Sequence, residues 1–99
     1  VIVVAGTVTF DGANQEAVIA AANRVAEITR TEDGCISYEF FADLNGPGRM
    51  LVFEEWESEE ALEEHMKTPH LADFRAALAA AGATGRNIDR YLVSSHRPN

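Results

Sequence analysis

The sequence predicts an α+β fold: a four-stranded antiparallel sheet with its helices on one face. Three observations predict it. Apolar runs and helical periodicities follow each other in the order strand, helix, strand, strand, helix pair, strand, the split β-α-β order of ferredoxin-like folds. The two middle strands are joined by Asn45-Gly46-Pro47-Gly48, a turn in which Gly supplies positive φ and Pro blocks further pairing, so they form a hairpin. The first and third strands are apolar on both sides, so the side of the sheet without helices carries apolar side chains that need a cover.

Each element has its own signal. Val1 to Phe10 is β-branched and nearly continuously apolar, and Asp11-Gly12 ends it. Asp11 or Asn14 is placed to cap a helix over Ala13 to Arg30, in which Val18, Ala21, Ala22, Val25 and Ile28 recur at helical spacing. Gly34 follows as a stop. Cys35 to Asp43 is the second strand, with Ile36, Tyr38 and Phe40 on one face by the two-residue period. Arg49 to Trp56 is the third, with Leu51, Phe53 and Glu55 facing one way and Met50, Val52, Glu54 and Trp56 the other. Ser58 caps a helix with Glu59 and Glu60 in its first turn, where the dipole favours acids. It ends near His65 or Met66, and Thr68-Pro69 restarts a helix with Thr68 as cap and Pro69 at its first position. Leu71, Phe74 and Leu78 form the stripe of that helix, Gly82 ends it, and Arg86 to Ser95 is the last strand. The tail from His96 to Asn99 frays.

Length and charge narrow the function. The 99 residues fit one domain, residues 1–99, whose small core gains from association. The simplest cover for the bare face is the same face of a second copy, giving a dimeric α+β barrel; the alternative is a monomer covered by its own extra helix or loop. The net charge is −8, and the eight bases, seven Arg and Lys67, are scattered. No basic surface exists for nucleic acid or an anionic membrane. A single cysteine, Cys35, excludes an internal disulfide and a Cys-rich metal site and suits the cytoplasm. The opening VIVVAGTVTF lacks a basic n-region and is too short to span a bilayer, so it reads as a strand.

The chemistry concentrates in Phe53 to Phe74. His65 stands near a helix C-terminus, where the dipole favours protonation, and His70 in the first turn of the next helix, where it disfavours it. Two histidines in opposite fields suit an acid and base pair; the alternative is that they satisfy backbone groups at the kink. Glu54 shares a face with Val52 and Trp56, a costly place for an acid unless it is paired or solvated, and Arg86 or Arg90 of the last strand is a candidate partner. Trp56 can wall a cavity at the sheet edge or belong to the core. His65 and His70 are five residues apart across a break, and no HExxH or Cys ligand set appears, so no metal is expected. Cys35 has no activating partner and reads as structural.

This stretch resembles the signature of the antibiotic-biosynthesis monooxygenase superfamily: a strand ending E-x-W (Glu54, Trp56), an acidic helix with Ala61-Leu62, then His65, Thr68-Pro69-His70 and Phe74. The neighbourhood of Gly34-Cys35 and Tyr38 is also similar, and the small single-domain members, quinol monooxygenases and the autoinducer-2 degradation isomerase among them, look most alike. The resemblance implies a dimeric α+β barrel with a pocket between sheet and helices in each subunit. It implies an oxygenase that uses no metal, flavin or haem, in which a deprotonated quinol or phenol passes an electron to O₂. His65 or His70 would be the base; Tyr38, Trp56 and Phe74 would shape the pocket, with Glu54 and Arg86 binding substrate. The haem-degrading branch has Asn, Trp and His where this chain has Thr7, His65 and Arg75, so haem cleavage is not expected. The sequence leaves three functions open: a cofactor-independent monooxygenase of a small aromatic, an isomerase using the same histidines, and a non-catalytic dimeric ligand-binding module.

Overall fold

The computed structural model describes residues 1–99. Its strands are β1 (Ile2–Thr9), β2 (Cys35–Ala42), β3 (Arg49–Trp56) and β4 (Gly85–Leu92), and its α-helices are α1 (Gln15–Thr29), α2 (Glu59–Met66) and α3 (Pro69–Ala80). All strand pairs are antiparallel, in the order β2-β3-β1-β4. This is the ferredoxin-like α+β arrangement that the element order predicts. No helix is long and apolar enough to cross a membrane.

Side-chain alternation assigns the two faces of the sheet. Ile2, Val4 and Val8 of β1 share a face with Met50, Val52, Glu54 and Trp56 of β3, and the pairing register aligns Val4 with Glu54 and Ile2 with Trp56. That face meets Val18, Ala22, Val25 and Ala26 of α1, Leu62 of α2, and Leu71 and Phe74 of α3 in the core. The opposite face carries Val3, Leu51, Phe53, Phe41 and Tyr91. No helix covers it, and Leu51, Phe41 and Tyr91 are 40%, 51% and 51% exposed.

Several boundaries differ from the sequence expectation, each for a local reason. The segment after β1 opens with a 3-10 turn, Gly12–Asn14, because the Asp11 carboxylate accepts from Ala13 N at 3.0 Å and tightens the first turn. Asn14 does not cap α1; its amide donates to the Ala81 carbonyl at the end of α3. The buried stripe of α1 is Val18, Ala22, Val25, Ala26 and Thr29, and Ile28 is exposed, because a 3.6-residue turn carries position 28 off the face that position 18 defines. A bulge between Cys35 and Ser37 breaks the alternation of β2. Ile36 is therefore exposed, while Tyr38 is buried and Phe40 is half-buried. The last strand stops at Leu92, paired with Ile2, and one further hydrogen bond follows from Val93 N to the Val1 carbonyl at 2.9 Å. Ser58 caps α2 as expected, its Oγ accepting from Ala61 N at 3.1 Å. Thr68 does not cap α3 with its side chain but donates its hydroxyl to the His65 carbonyl at 2.8 Å, which fixes the α2–α3 kink.

Candidate functional site

Between the sheet and helices α2 and α3 lies a cavity of about 480 Å³, a size that suits a small organic molecule. Its walls are mostly apolar: Val4, Val8, Val52, Phe40, Phe74 and Leu78 are among them. Polar groups enter at a few points: Tyr38, Glu54 and His65 from its floor and wall, and Arg75, Arg86, Asp89 and Arg90 from exposed positions at its margin. Arg86 makes no ion pair, whereas Arg90 is paired with Glu59 and Glu63 of α2 at 3.2 and 2.8 Å.

His65 is placed by the last turn of α2 and is 1% exposed. Its ring lies 5.3 Å from that of Tyr38 and 4.9 Å from that of Trp56. Nδ1 sits 2.8 Å from Glu32 Oε2. Nε2 has no protein partner, yet the fully buried side-chain polar atom that lacks one is Thr29 Oγ1. Nε2 therefore touches accessible space, and the space beside His65 is the cavity. The same reasoning applies to the Tyr38 hydroxyl, which is likewise unpartnered on a residue only 2% exposed. Burial pushes the His65 pKa down, opposed by the hydrogen bond and charge of Glu32. The helix-dipole expectation of a readily protonated His65 is thus reversed, because taking an imidazolium out of water outweighs the field of a helix end. Burial likewise pushes the Tyr38 phenol up.

Glu54 is 7% exposed and does not pair with Arg86 or Arg90. Its Oε1 instead accepts from Trp56 Nε1 at 2.9 Å. Burial raises its carboxyl from 4.5 to about 7, with the Trp56 hydrogen bond and the Arg86 charge acting against the rise. Trp56 is fully buried and does not line the cavity; it stands behind the wall, stacked near His65 and holding Glu54. His70 also lies outside the lining. Its Nε2 is 2.7 Å from the same Glu32 oxygen that His65 contacts.

The structure thus brings His65, Tyr38, Glu54, Phe74 and Arg86 to one cavity and sets Trp56 and His70 behind it. Sequence reasoning missed Glu32, Phe40 and Arg75. Glu32 lies in the turn after α1, where an acid between Thr31 and Asp33 reads as solvated surface; the only signal was its place just ahead of Gly34. That Gly34 takes φ +82° and packs against Ala61 of α2, which carries the turn to His65. The donor atoms of Glu32, His65 and His70 lie within 4.8 Å of one another, close enough to ligate a metal ion. The chain break expected to separate the two histidines instead folds them together. Cys35 is half-buried, its thiol pushed up to about 11 by burial and by the charges of Glu32 and Glu54, which keeps it protonated near neutrality as a structural cysteine.

Comparison with known proteins places this geometry. The family model described as antibiotic biosynthesis monooxygenase matches residues 1–77. A solved structure from Deinococcus radiodurans, assigned to the antibiotic biosynthesis monooxygenases, superposes with a TM-score of 0.92 at 25% identity, covering 100% of this chain and 98% of that one. Rv0793 of Mycobacterium tuberculosis superposes with a TM-score of 0.86 at 25% identity, with 98% of each chain covered. In sequence, Rv0793, which carries a provisional monooxygenase name, is 44% identical over 48 residues, 48% of this chain and 46% of that protein. The Synechocystis protein sll1783 is 38% identical over 73 residues, 74% of this chain and 50% of that protein. The chain spans about half the length of the curated relatives it matches.

Proposed function

Because the chain belongs to the antibiotic biosynthesis monooxygenase family, we propose that it is a cofactor-independent monooxygenase. On this reading it is a cytoplasmic homodimer that oxidises a small electron-rich aromatic, a quinol or polyketide-like phenol, with O₂. The observation that carries the reading is His65: a buried imidazole lining an apolar cavity, its pKa pushed down by burial and its Nε2 without a protein hydrogen-bond partner. His65 takes the phenolic proton at Nε2. The phenolate passes one electron to O₂, the radical pair combines, and the proton on His65 returns to the peroxide oxygen. The hydroperoxide loses water and leaves a carbonyl. One oxygen atom enters the product, the other leaves as water, and the substrate supplies all four electrons. The Tyr38 hydroxyl donates to the developing oxyanion, the unpaired Arg86 supplies positive charge, and Phe74 packs the ring. Apolar walls keep bulk water from the radical pair.

The homodimer reading is supported by the uncovered face of the sheet, where Leu51, Phe41 and Tyr91 are exposed together. The cytoplasmic reading is supported by the single unpaired Cys35.

Isomerisation in the same cavity is a second reading. It is favoured by Glu54, raised to about 7, facing the cavity together with a His65 pushed down, two groups that exchange protons near neutrality. Oxygen uptake by chelator-treated, flavin-free protein with a panel of quinols and polycyclic phenols separates the readings, with His65→Ala as control. Uptake that His65→Ala abolishes is the expected result. Product formed without O₂ consumption transfers the assignment to isomerisation, and ligand binding without product on the whole panel points to a binding module. Full activity in His65→Ala removes His65 as the base.

A further inference from the structure

One carboxylate oxygen, Glu32 Oε2, lies 2.8 Å from His65 Nδ1 and 2.7 Å from His70 Nε2. An ionised carboxylate has no proton to give, so at these distances it accepts from both rings. A neutral imidazole carries a single N–H, and the nitrogen that donates is therefore the one that holds it. On His65 that is Nδ1, which leaves Nε2, the nitrogen facing the cavity, with its lone pair bare. On His70 it is Nε2.

The surroundings make this arrangement rigid. Glu32 and His70 side chains are 16% and 15% exposed, and the His65 side chain 2%, so water competes weakly for these contacts. The turn that carries Glu32 is tied at both ends: Glu32 N donates to the Thr29 carbonyl at 2.9 Å, and Cys35 N donates to the Glu32 carbonyl at 3.2 Å. His65 is further confined between Tyr38 and Trp56. His70 has no contact with the cavity, and its polar partner is Glu32.

We infer that Glu32 is the positioning residue of this site: it holds His65 in the Nδ1–H tautomer so that Nε2 is the base, and His70 acts only by holding Glu32. When Nε2 takes a proton from substrate, the imidazolium that forms has its counter-charge already in place on the other side of the ring. No proton has to leave through Glu32; it stays on His65 until the peroxide takes it back. The assignment gives the two histidines unequal roles, one meeting substrate and the other two contacts removed from it. It rests on the proposed role of His65 as base, but its first test does not need turnover.

That test is the nitrogen NMR spectrum of protein labelled with ¹⁵N-histidine, near pH 7.5 and without ligand. The expected spectrum shows His65 with a protonated Nδ1 and an unprotonated Nε2, and His70 with the opposite pattern. In Glu32→Ala, whose fold is checked by circular dichroism, the His65 signals move toward a mixture of tautomers. His70→Gln, which keeps an N–H donor for Glu32, retains the wild-type His65 pattern. A wild-type His65 protonated at Nε2, or a pattern unchanged in Glu32→Ala, overturns the inference. Stoichiometric metal in the purified protein, with His65 and His70 signals that shift on chelation, also overturns it, because both rings would then be ligands and not donors. With a turnover assay in hand, Glu32→Gln lowers kcat about 10²-fold or more with little change in KM, the size expected when a general base is mis-set. An unchanged kcat in Glu32→Gln beside an inactive His65→Ala removes Glu32 and leaves the base in place; a fully active His65→Ala removes the base itself.

Discussion

Gly34 and Ala61 approach so closely that a Cβ built on Gly34 would stand 2.5 Å from the Ala61 Cβ. The contact joins the turn after α1 to α2, the two elements that contribute Glu32 and His65. Gly34 also has φ +82°, a region that costs a side chain strain. Gly34→Ala therefore combines a backbone penalty with a clash against a helix. We expect a loss of about 2–4 kcal/mol in unfolding free energy, measured by urea denaturation, together with loss of the His65–Glu32 hydrogen bond in the histidine NMR spectrum. A stability within about 0.5 kcal/mol of wild type would show that the turn moves freely away from α2.

Glu54 makes stability fall as pH rises. Its folded-state pKa, about 7, lies above its ordinary 4.5, so the folded protein holds the proton more tightly than the unfolded chain does. The contribution is complete below about 4.5 and is lost as pH rises through about 7, amounting to roughly 3 kcal/mol. Gln stays neutral throughout and still accepts from Trp56 Nε1. Glu54→Gln should gain stability relative to wild type between pH 4.5 and 7.5, with the two converging in acid; parallel curves over that range would place the Glu54 carboxyl near its ordinary value. His65 works in the other sense. Its pKa lies below the ordinary 6.5, so its contribution is present above 6.5 and is lost as pH falls.

Thr29 is the buried residue whose chemistry the fold does not use. It is 0% exposed in α1, and its hydroxyl has no partner. Val keeps the shape and removes the stranded hydroxyl. Thr29→Val should raise stability by about 1 kcal/mol, since an unsatisfied buried polar group costs about 1–3 kcal/mol. Thermal and urea unfolding both read this change. A destabilised variant would mean that the hydroxyl has a partner, such as an ordered water.

Leu51 tests the uncovered face. It is 40% exposed on the central strand β3, beside Phe41 of β2. If two copies pack sheet to sheet, Leu51→Glu places a carboxylate in an apolar interface with its own symmetry mate nearby, at a cost of several kcal/mol. Analytical ultracentrifugation at micromolar concentration should show a dimer for wild type and a monomer for Leu51→Glu. A monomeric wild type would remove the dimer from the proposal.

Much of the fold was legible because its signals are local. The Arg49–Trp56 strand, the Ser58 cap and Pro69 at the start of α3 each follow from residues within a few positions of one another, and the structure keeps them. The misplaced details depend on an irregularity or an accumulated phase that no short stretch displays. Nothing near Ile36 announces the bulge that turns it outward, and Ile28 leaves the buried face only by a drift of helical phase over three turns. The site divides the same way. His65, Tyr38, Glu54 and Phe74 carry signals of type and face and do meet in the cavity, whereas Trp56 was assigned to a wall that it supports from behind.

What the sequence determined by itself is the order of elements, the two faces of β1 and β3 and the family, because hydrophobic period, caps and turn residues act over short stretches and survive without tertiary context. What only the tertiary structure decided is which charged groups meet. Glu54 found Trp56 Nε1 and not an arginine, and Glu32, 33 residues before His65, became the shared partner of both histidines. A hydrogen bond forms over about 3 Å, so such partners are fixed by how turn and helix pack, and no spacing along the chain encodes them.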